Sequence, residues 1–505
     1  MKKQIRIGVF NCHPGLELML NTMGIPWERC HNIYESWITN FSVIISETNN
    51  ESFQKEFEYY LKAGGAVLDL SGAVQHYWLT RRNITTLQLD PDDAFLGDLN
   101  QIDIYHSVLK HPQADLAEKT IWIRPESSNP YIFCGLPFGK LFTDSSSAQK
   151  AFPVNEKKTA YEHVSRVSKQ KLIHVLLRLL IRLHEIQNLP LVHKWWYPGD
   201  SDSLFAFRID SDFASVDDAE KLIHFLNEES IPNSWFLHTK AHEKWLEHFR
   251  RLKNGEIAVH GYEHKVYDQL NKNILNIKKA LHLLQSARFK PKGYASPYGI
   301  WNDIVQKSVK HFHFNYSSEF SYHYDGLPVF TRQSTLQLPI HPVCISSLIK
   351  AGADENEMIL YFQSAAQLKF YFREPVIFYH HPLDNHQSVW KSVFDFIKNT
   401  SGVTSLTFLE WATWWRKRES SFLNAFVENG KLFLELSDNS DDFQISVHTG
   451  NNKFLITRPV HLLLKNAETK EFYRKSHKSQ LRKINTGNNK AKLLKSEFFS
   501  RLWRL

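Results

Sequence analysis

The chain has 505 residues, of which 42% are hydrophobic, 23% charged and 13% aromatic, with a formal net charge of +8. Single cores stop growing well below this length, so two to four domains are expected, and this balance excludes a disordered, collagenous or membrane-embedded chain. The charge is concentrated: Lys465 to Arg504 holds twelve Lys or Arg against three acids and leaves the rest near neutral, so no specific nucleic-acid surface is expected.

The first residues, MKKQIRIGVFNCHPG, carry basic groups and a short apolar run that contains Arg6, without a small-residue cleavage site. They do not read as an export signal, and no transmembrane segment follows, so a cytoplasmic location is expected. Cys12, Cys30, Cys134 and Cys344 form no Cys-x-x-Cys pair and read as core thiols of a reducing compartment. IRIGVF (5–10), SVIISE (42–47) and the apolar end of AGGAVLDLSG (63–72) are strand-like, and 51–62 has helical periodicity. Alternation of this kind predicts a Rossmann-like three-layer α/β domain over 1–150. It loosely resembles glutamine-amidotransferase-like domains, but it has no Gly-rich phosphate loop, and Cys12 lacks the strand-turn-helix elbow of a nucleophile. A binding or scaffolding role is expected there.

Residues 151–203 read as a helical linker. LIHVLLRLLIRLHEIQNLP (172–190), with His174, Arg178 and Arg182 spaced by four, predicts an amphipathic helix packed on a domain. PLVHKWWYPGDSD (190–202) breaks regular structure, and Trp195, Trp196 and Tyr197 predict a linker clamped by aromatic packing.

From 204 to 418 strands and helices alternate: LFAFRID, a helix about 215–229, SWFLH, a helix about 240–253, EIAVH, a helix about 268–286, then KGYAS. This rhythm predicts parallel strands curled into a barrel, where chemistry sits at the strands' C-terminal ends. Two segments at such ends stand out, FRIDSD (207–212) and VHGYEH (259–264). Side chains two apart on a strand share a face, so Asp210 and Asp212 are expected to project together. His260 and His264, four apart, share a side if the segment turns helically. Asp212, His260 and His264 supply the N/O ligands of a hydrolytic zinc (or other divalent) site, and Asp210 is left as an uncoordinated base.

In this order the motifs resemble the polysaccharide deacetylase superfamily, in its Asp-x-Asp variant, whose members include chitin and peptidoglycan N-deacetylases and allantoinase-like relatives. GYASPYGIWN (293–302) is similar to the family's third motif, and VIFYHHP (376–382) to the closing strand that carries an acid histidine. The resemblance covers roughly 200–418. It implies a distorted (β/α)7 barrel, an acetylated carbohydrate substrate, and removal of N-acetyl or O-acetyl groups by attack of a zinc-activated water. It also implies His381 as the catalytic acid, with His380 as the alternative, an oxyanion contact from the backbone N–H of Tyr298, and substrate contacts from Pro297, Tyr298 and His341. The family's usual arginine of the third motif is Ala295 here. Arg208, on the same strand face as Asp210, is the expected replacement, with Arg332 as second candidate. Two rival functions are hydrolysis of another C–N bond, as in the allantoinase-like relatives, and a non-catalytic carbohydrate-binding member.

The helix TFLEWATWWRKRES (407–420) presents Trp411, Trp414 and Trp415 for barrel packing. Beyond it, KLFLELSD, DFQISVHT and KFLITRPVHLLL alternate like antiparallel strands, which predicts a small β-rich module over 419–505. Its basic tail reads as a solvated terminus, or as a dock for an anionic partner. The oligomeric state is not readable from the sequence.

Overall fold

A computed structural model describes residues 2–471, apart from 32–36, 49, 73–78, 92, 94, 112–118, 125–128, 155–156, 439–441, 451–452, 459–460 and 463–469. Most of the basic tail thus lies outside the described residues. The chain divides into two units, one of 1–144, 167–200 and the described residues from 417 onward, the other of 145–166 and 201–416.

The first unit is built on a six-stranded sheet of β1 (Ile7–Phe10), β2 (Trp27–Cys30), β3 (Val43–Ser46), β4 (Val67–Asp69), β5 (Ile121–Ile123) and β6 (Tyr131–Cys134). Their order is β2-β1-β3-β4-β6-β5, all parallel except the edge strand β5. Every residue of β1, β3, β4 and β6 is buried. Burial on both faces is why these segments read as unbroken apolar runs rather than alternating ones. The single acid among them, Asp69, is satisfied by the backbone N–H groups of Ser71 and Gly72 and by the Tyr131 hydroxyl.

The helix expected at 172–190 runs from Lys169 to Ile186 and packs on the sheet of the first unit, but the spacing of His174, Arg178 and Arg182 does not mark an exposed face. His174 and Arg178 are buried, and Arg178 is paired with Asp98 at 2.8 Å, while Arg182 alone of the three is exposed. The helix lies against the apolar sheet, so even its basic positions face protein. Trp195, Trp196 and Tyr197 are fully buried, with the two indoles stacked at 5.2 Å. The strands after residue 420 do not stand apart as a module. Leu423–Glu428 pairs with Lys431–Leu436 on one side and Lys2–Gln4 on the other, while Ile445–His448 pairs with Leu191–Lys194, and a shared core including Ile5, Val192, Leu434 and Val447 joins them.

Among the described residues the second unit holds eight parallel strands, seven of them in one row: β7 (Ser203–Asp210), β8 (Asn233–Leu237), β9 (Gly255–Val259), β10 (Gly293–Tyr294), β11 (Tyr316–Ser317), β12 (Leu336–Gln337) and β13 (Val376–His380). Their order is β12-β11-β10-β9-β8-β7-β13, with Val329–Phe330 antiparallel beside β12 and Val403–Ser405 parallel beside β7. The sheet curls as a half-barrel. Its edge strands β12 and β13 form no ladder; a backbone bond from His341 N–H to Ile377 O, 2.8 Å, spans the gap. Three of the strands are only two residues long, which is why closure is incomplete.

Helix Val216–Glu229 starts with a capping box formed by Ser215 and Asp218. The helix expected at 240–253 is broken into Thr239–His242 and a 3-10 turn, Leu246–Arg251. Trp245 leaves helical geometry at the break, and His242 is held instead by Ser211 Oγ at 2.7 Å and by the Trp245 and Phe249 rings. Tertiary contacts here override helix propensity.

Candidate active site

Strand β7 ends at Asp210, and its pleat puts Arg208 and Asp210 on one face. Their pairing is a fork, with Nε to Oδ1 at 2.6 Å and Nη2 to Oδ2 at 2.7 Å. The remaining guanidinium nitrogen donates to the carbonyl and hydroxyl of Ser318, at 2.7 and 3.0 Å, and the guanidinium lies over the Phe236 ring. Arg208 is wholly buried and Asp210 nearly so. Burial works against a charged carboxylate, but the Arg208 charge and hydrogen bonds hold Asp210 below its ordinary value. Arg332 is exposed, so of the two candidates for the missing arginine it is Arg208 that meets Asp210.

The expectation that Asp212 extends the strand is corrected. Asp212 adopts φ 39°, a left-handed turn. Its backbone carbonyl accepts His238 Nδ1 at 2.8 Å, and Ser211 Oγ accepts the His238 backbone N–H at 3.0 Å, which pins the turn. The carboxylates of Asp210 and Asp212 nonetheless feel the same two imidazoles, His260 and His381.

His260 and His264 converge without the helical turn expected between them. The segment is an irregular bend whose Gly261 has φ +92°, a conformation that L side chains rarely adopt. The rings lie 5.0 Å apart, and both Nε2 atoms face one oxygen, Asp212 Oδ1, at 3.4 and 3.1 Å. His260 Nδ1 is 2.8 Å from the carbonyl of Ala295. A carbonyl only accepts, so Nδ1 carries a proton and Nε2 is the nitrogen turned toward the carboxylate.

Asp212 Oδ1 is a buried atom with no hydrogen-bond partner, and it faces both Nε2 atoms, so a cation among these three donors would satisfy it. Donors at about 2.0–2.2 Å from a tetrahedral zinc stand about 3.3–3.6 Å apart. The spacing and chemistry of Asp212, His260 and His264 therefore fit a divalent metal. Ala295 contributes through its backbone oxygen, which needs no arginine side chain.

In the third motif, Pro297–Gly299 is a short 3-10 segment kinked at Tyr298. Pro297 is buried and Tyr298 is 64% exposed, at φ 60°, with its ring edge-on to His264 at 4.7 Å. Phe213, 63% exposed, packs edge-on to the same imidazole at 5.6 Å.

On the closing strand the structure separates the two histidines. His380 is buried against Phe207 and Trp390, and burial pushes its pKa down to about 3. His381 turns Nε2 toward Asp212 Oδ2 at 3.7 Å and Nδ1 toward Asp384 Oδ2 at 3.2 Å. Burial opposes its charge, yet hydrogen bonds to Asp384 and Cys344 hold it well above an ordinary histidine. His341, expected at the substrate, is corrected: it is 1% exposed, with Nδ1 on Asp325 at 3.0 Å and Nε2 on the Tyr361 hydroxyl at 3.0 Å. A buried ring with both nitrogens engaged is a strut between elements, not a ligand contact.

Sequence reasoning missed Asp384, Cys344, His238 and Phe213. Asp384, three residues after His381, was detectable by the familiar pairing of a catalytic imidazole with an acid. Cys344 lies 37 positions from His381 and carried no local signal.

Residues 210–317 match the family model described as "Polysaccharide deacetylase". No curated protein matches the chain. Among solved structures, a Mycobacterium smegmatis protein assigned as a polysaccharide deacetylase aligns at 16% identity, over 45% of this chain and 94% of its own, with a TM-score of 0.39. A Pseudomonas aeruginosa protein of the same assignment aligns at 14% identity, over 43% and 92%, with a TM-score of 0.38. A Bacillus anthracis carbohydrate esterase family 4 pseudoenzyme aligns at 14% identity, over 43% and 68%, with a TM-score of 0.31. The matched span begins on Asp210 and holds Asp212, His260, His264 and the third motif, so the match to the polysaccharide deacetylase model is of this domain and not of the whole chain.

Proposed function

We propose that the half-barrel site hydrolyses N-acetyl or O-acetyl groups of a carbohydrate, with zinc or another divalent ion held by Asp212, His260 and His264. Such an ion would supply Lewis acidity, polarising the acetyl carbonyl and easing deprotonation of water. Asp210 accepts the proton of the attacking water. Its carboxylate is kept ionised and aimed by the Arg208 fork, so the role that relatives give to a third-motif arginine is taken up by this strand's own residue. His381, held protonated by Asp384, donates to the departing amine or alkoxide as the carbonyl carbon–heteroatom bond breaks. The products are acetate and the free amino or hydroxyl sugar. The Tyr298 backbone N–H is assigned to the oxyanion, and Pro297 and Tyr298 to the sugar. The exposed Phe213 and Tyr298 rings on the His264 imidazole suit stacking on the apolar face of a pyranose.

One observation carries this reading: a single Asp212 oxygen within 3.4 Å of two imidazole nitrogens, beside a second carboxylate that is locked by arginine. It is tested by measuring metal content together with acetate release from N-acetylglucosamine oligomers. Metal-loaded protein that releases no acetate from any acetylated sugar, yet opens a cyclic ureide, would move the assignment to another C–N bond. Metal-loaded protein that binds sugar and turns over neither substrate would identify a binding module.

A further inference from the structure

The first unit holds a cavity of about 350 Å³ that the half-barrel chemistry does not use. It opens where the carboxyl ends of β1, β3, β4 and β6 meet the hairpin Thr80–Gln88/Gln101–Lys110. In the order β2-β1-β3-β4-β6 the chain reverses direction between β1 and β3, and in open α/β sheets the crevice outside this reversal is the usual ligand site. Asn11 and His13 line it from the end of β1, Glu47 from β3, Arg81 and Ser107 from the hairpin, and Lys140 after β6.

The charges of the lining are unbalanced. Among the described residues neither Arg81 nor Lys140 has an ion-pair partner, whereas Glu47 already accepts the His13 backbone N–H at 2.8 Å. Ser107 Oγ is buried without a hydrogen-bond partner. A buried hydroxyl left unpaired is unfavourable, and a ligand hydroxyl or oxyanion would satisfy it. Cys12 also borders the cavity, but its thiol donates to the carbonyls of Phe10 and Ile45, at 3.3 and 3.4 Å. Burial and the neighbouring Glu47 charge push it well above an ordinary thiol, so the lining suits binding and offers no thiolate.

We infer that this cavity binds a small hydroxyl-rich anion, a sugar phosphate or sugar carboxylate, with Arg81 and Lys140 on the oxyanion and Ser107, Asn11 and Glu47 on the hydroxyls. Two unpaired cations call for the negative group. Glu47 calls for a donor, which a fully deprotonated inorganic anion such as sulfate lacks and a sugar hydroxyl supplies. The cavity has the size of a small-metabolite site.

The test is calorimetric titration of the full-length protein with glucose 6-phosphate, glucuronate and glucose. The inference expects one binding event per chain with at least one of the two anions and at least about tenfold weaker binding of neutral glucose. The tighter anion identifies phosphate or carboxylate as the group recognised. Arg81→Ala/Lys140→Ala, at exposed positions, weakens anion binding by about tenfold or more without moving the melting temperature. Ser107→Ala weakens it several-fold while leaving the ligand-free protein equally or more stable, because it removes an unpaired polar atom. The inference is overturned if neither anion binds, if glucose binds as well as the anions, or if the double variant binds like the parent protein.

Discussion

Two parallel sheets in this chain gather polar side chains at the carboxyl ends of their strands, and the two collections have different chemistry. In the half-barrel, three donors converge on one point, a fourth group is held ionised by a buried arginine, and a histidine is kept protonated by an acid. In the six-stranded sheet, the strand-end thiol is tied to carbonyls beside a carboxylate that disfavours its ionisation, and the two basic residues, Arg81 and Lys140, have no ion-pair partner among the described residues. The comparison teaches that strand-end position marks where a ligand sits in both layouts. Whether bonds are broken there depends on paired groups whose proton affinities are driven apart.

That contrast can be broken most severely at Asp210. Asp210→Asn is expected to lower the rate of acetate release by about 10²–10⁴-fold with metal content unchanged, since only the base is lost. Equal loss of metal would mean that Asp210 is a ligand. Chelation, or His264→Ala, is expected to remove activity together with the bound metal, as read by elemental analysis, and re-addition of a divalent ion should restore the chelated protein but not the variant.

The Arg208 fork comes next. Arg208→Ala removes one partner of a buried ion pair and should destabilise folding by about 3–5 kcal/mol, read by denaturant titration. Asp210 is held below the ordinary carboxylate range, so its contribution to stability is present above about pH 3.9 and is lost as pH falls through the folded-state value. In the variant, the acidic limb of the pH–rate profile should move to higher pH. An unmoved limb would show that Arg208 only fills space.

At His381 the shift has the opposite sign. Its folded value is raised, so the protonated form persists above about pH 6.5, and the alkaline limb should lie beyond that point. Asp384→Asn should bring the limb down without altering metal content. The smallest effect is expected at His341. His341→Asn should cost about 1–2 kcal/mol of stability by leaving the Tyr361 hydroxyl and Asp325 under-satisfied, with the KM of the remaining folded enzyme unchanged. A raised KM would return His341 to the substrate cleft.

Much of this was legible in the sequence. The βα rhythm from 204 predicted a parallel sheet, and among the described residues every strand of that sheet except Val329–Phe330 is parallel. The pair spacing of Asp210 and Asp212, and of His260 and His264, drew attention to the groups that the structure assembles, although neither by the strand extension nor by the helical turn that the spacing suggested. The stripe of His174, Arg178 and Arg182 misled because periodicity reports polarity and not exposure, and a buried Arg178 is tolerated once Asp98 pairs with it. His341 misled because a histidine at a strand end looks the same whether it faces a cleft or an internal acid.

The sequence by itself determined the residue types of the candidate centre, their order and the parallel-sheet setting, because strand periodicity and motif spacing are local properties of a chain. Tertiary structure alone decided which histidine of the His380–His381 pair faces Asp212, that the Ala295 carbonyl orients His260, that Cys344 meets His381, and that strands from residues 2–4 and 191–194 complete the C-terminal sheets. Each of these depends on side chains and backbone groups far apart in sequence, whose distances exist only after the strands lie side by side.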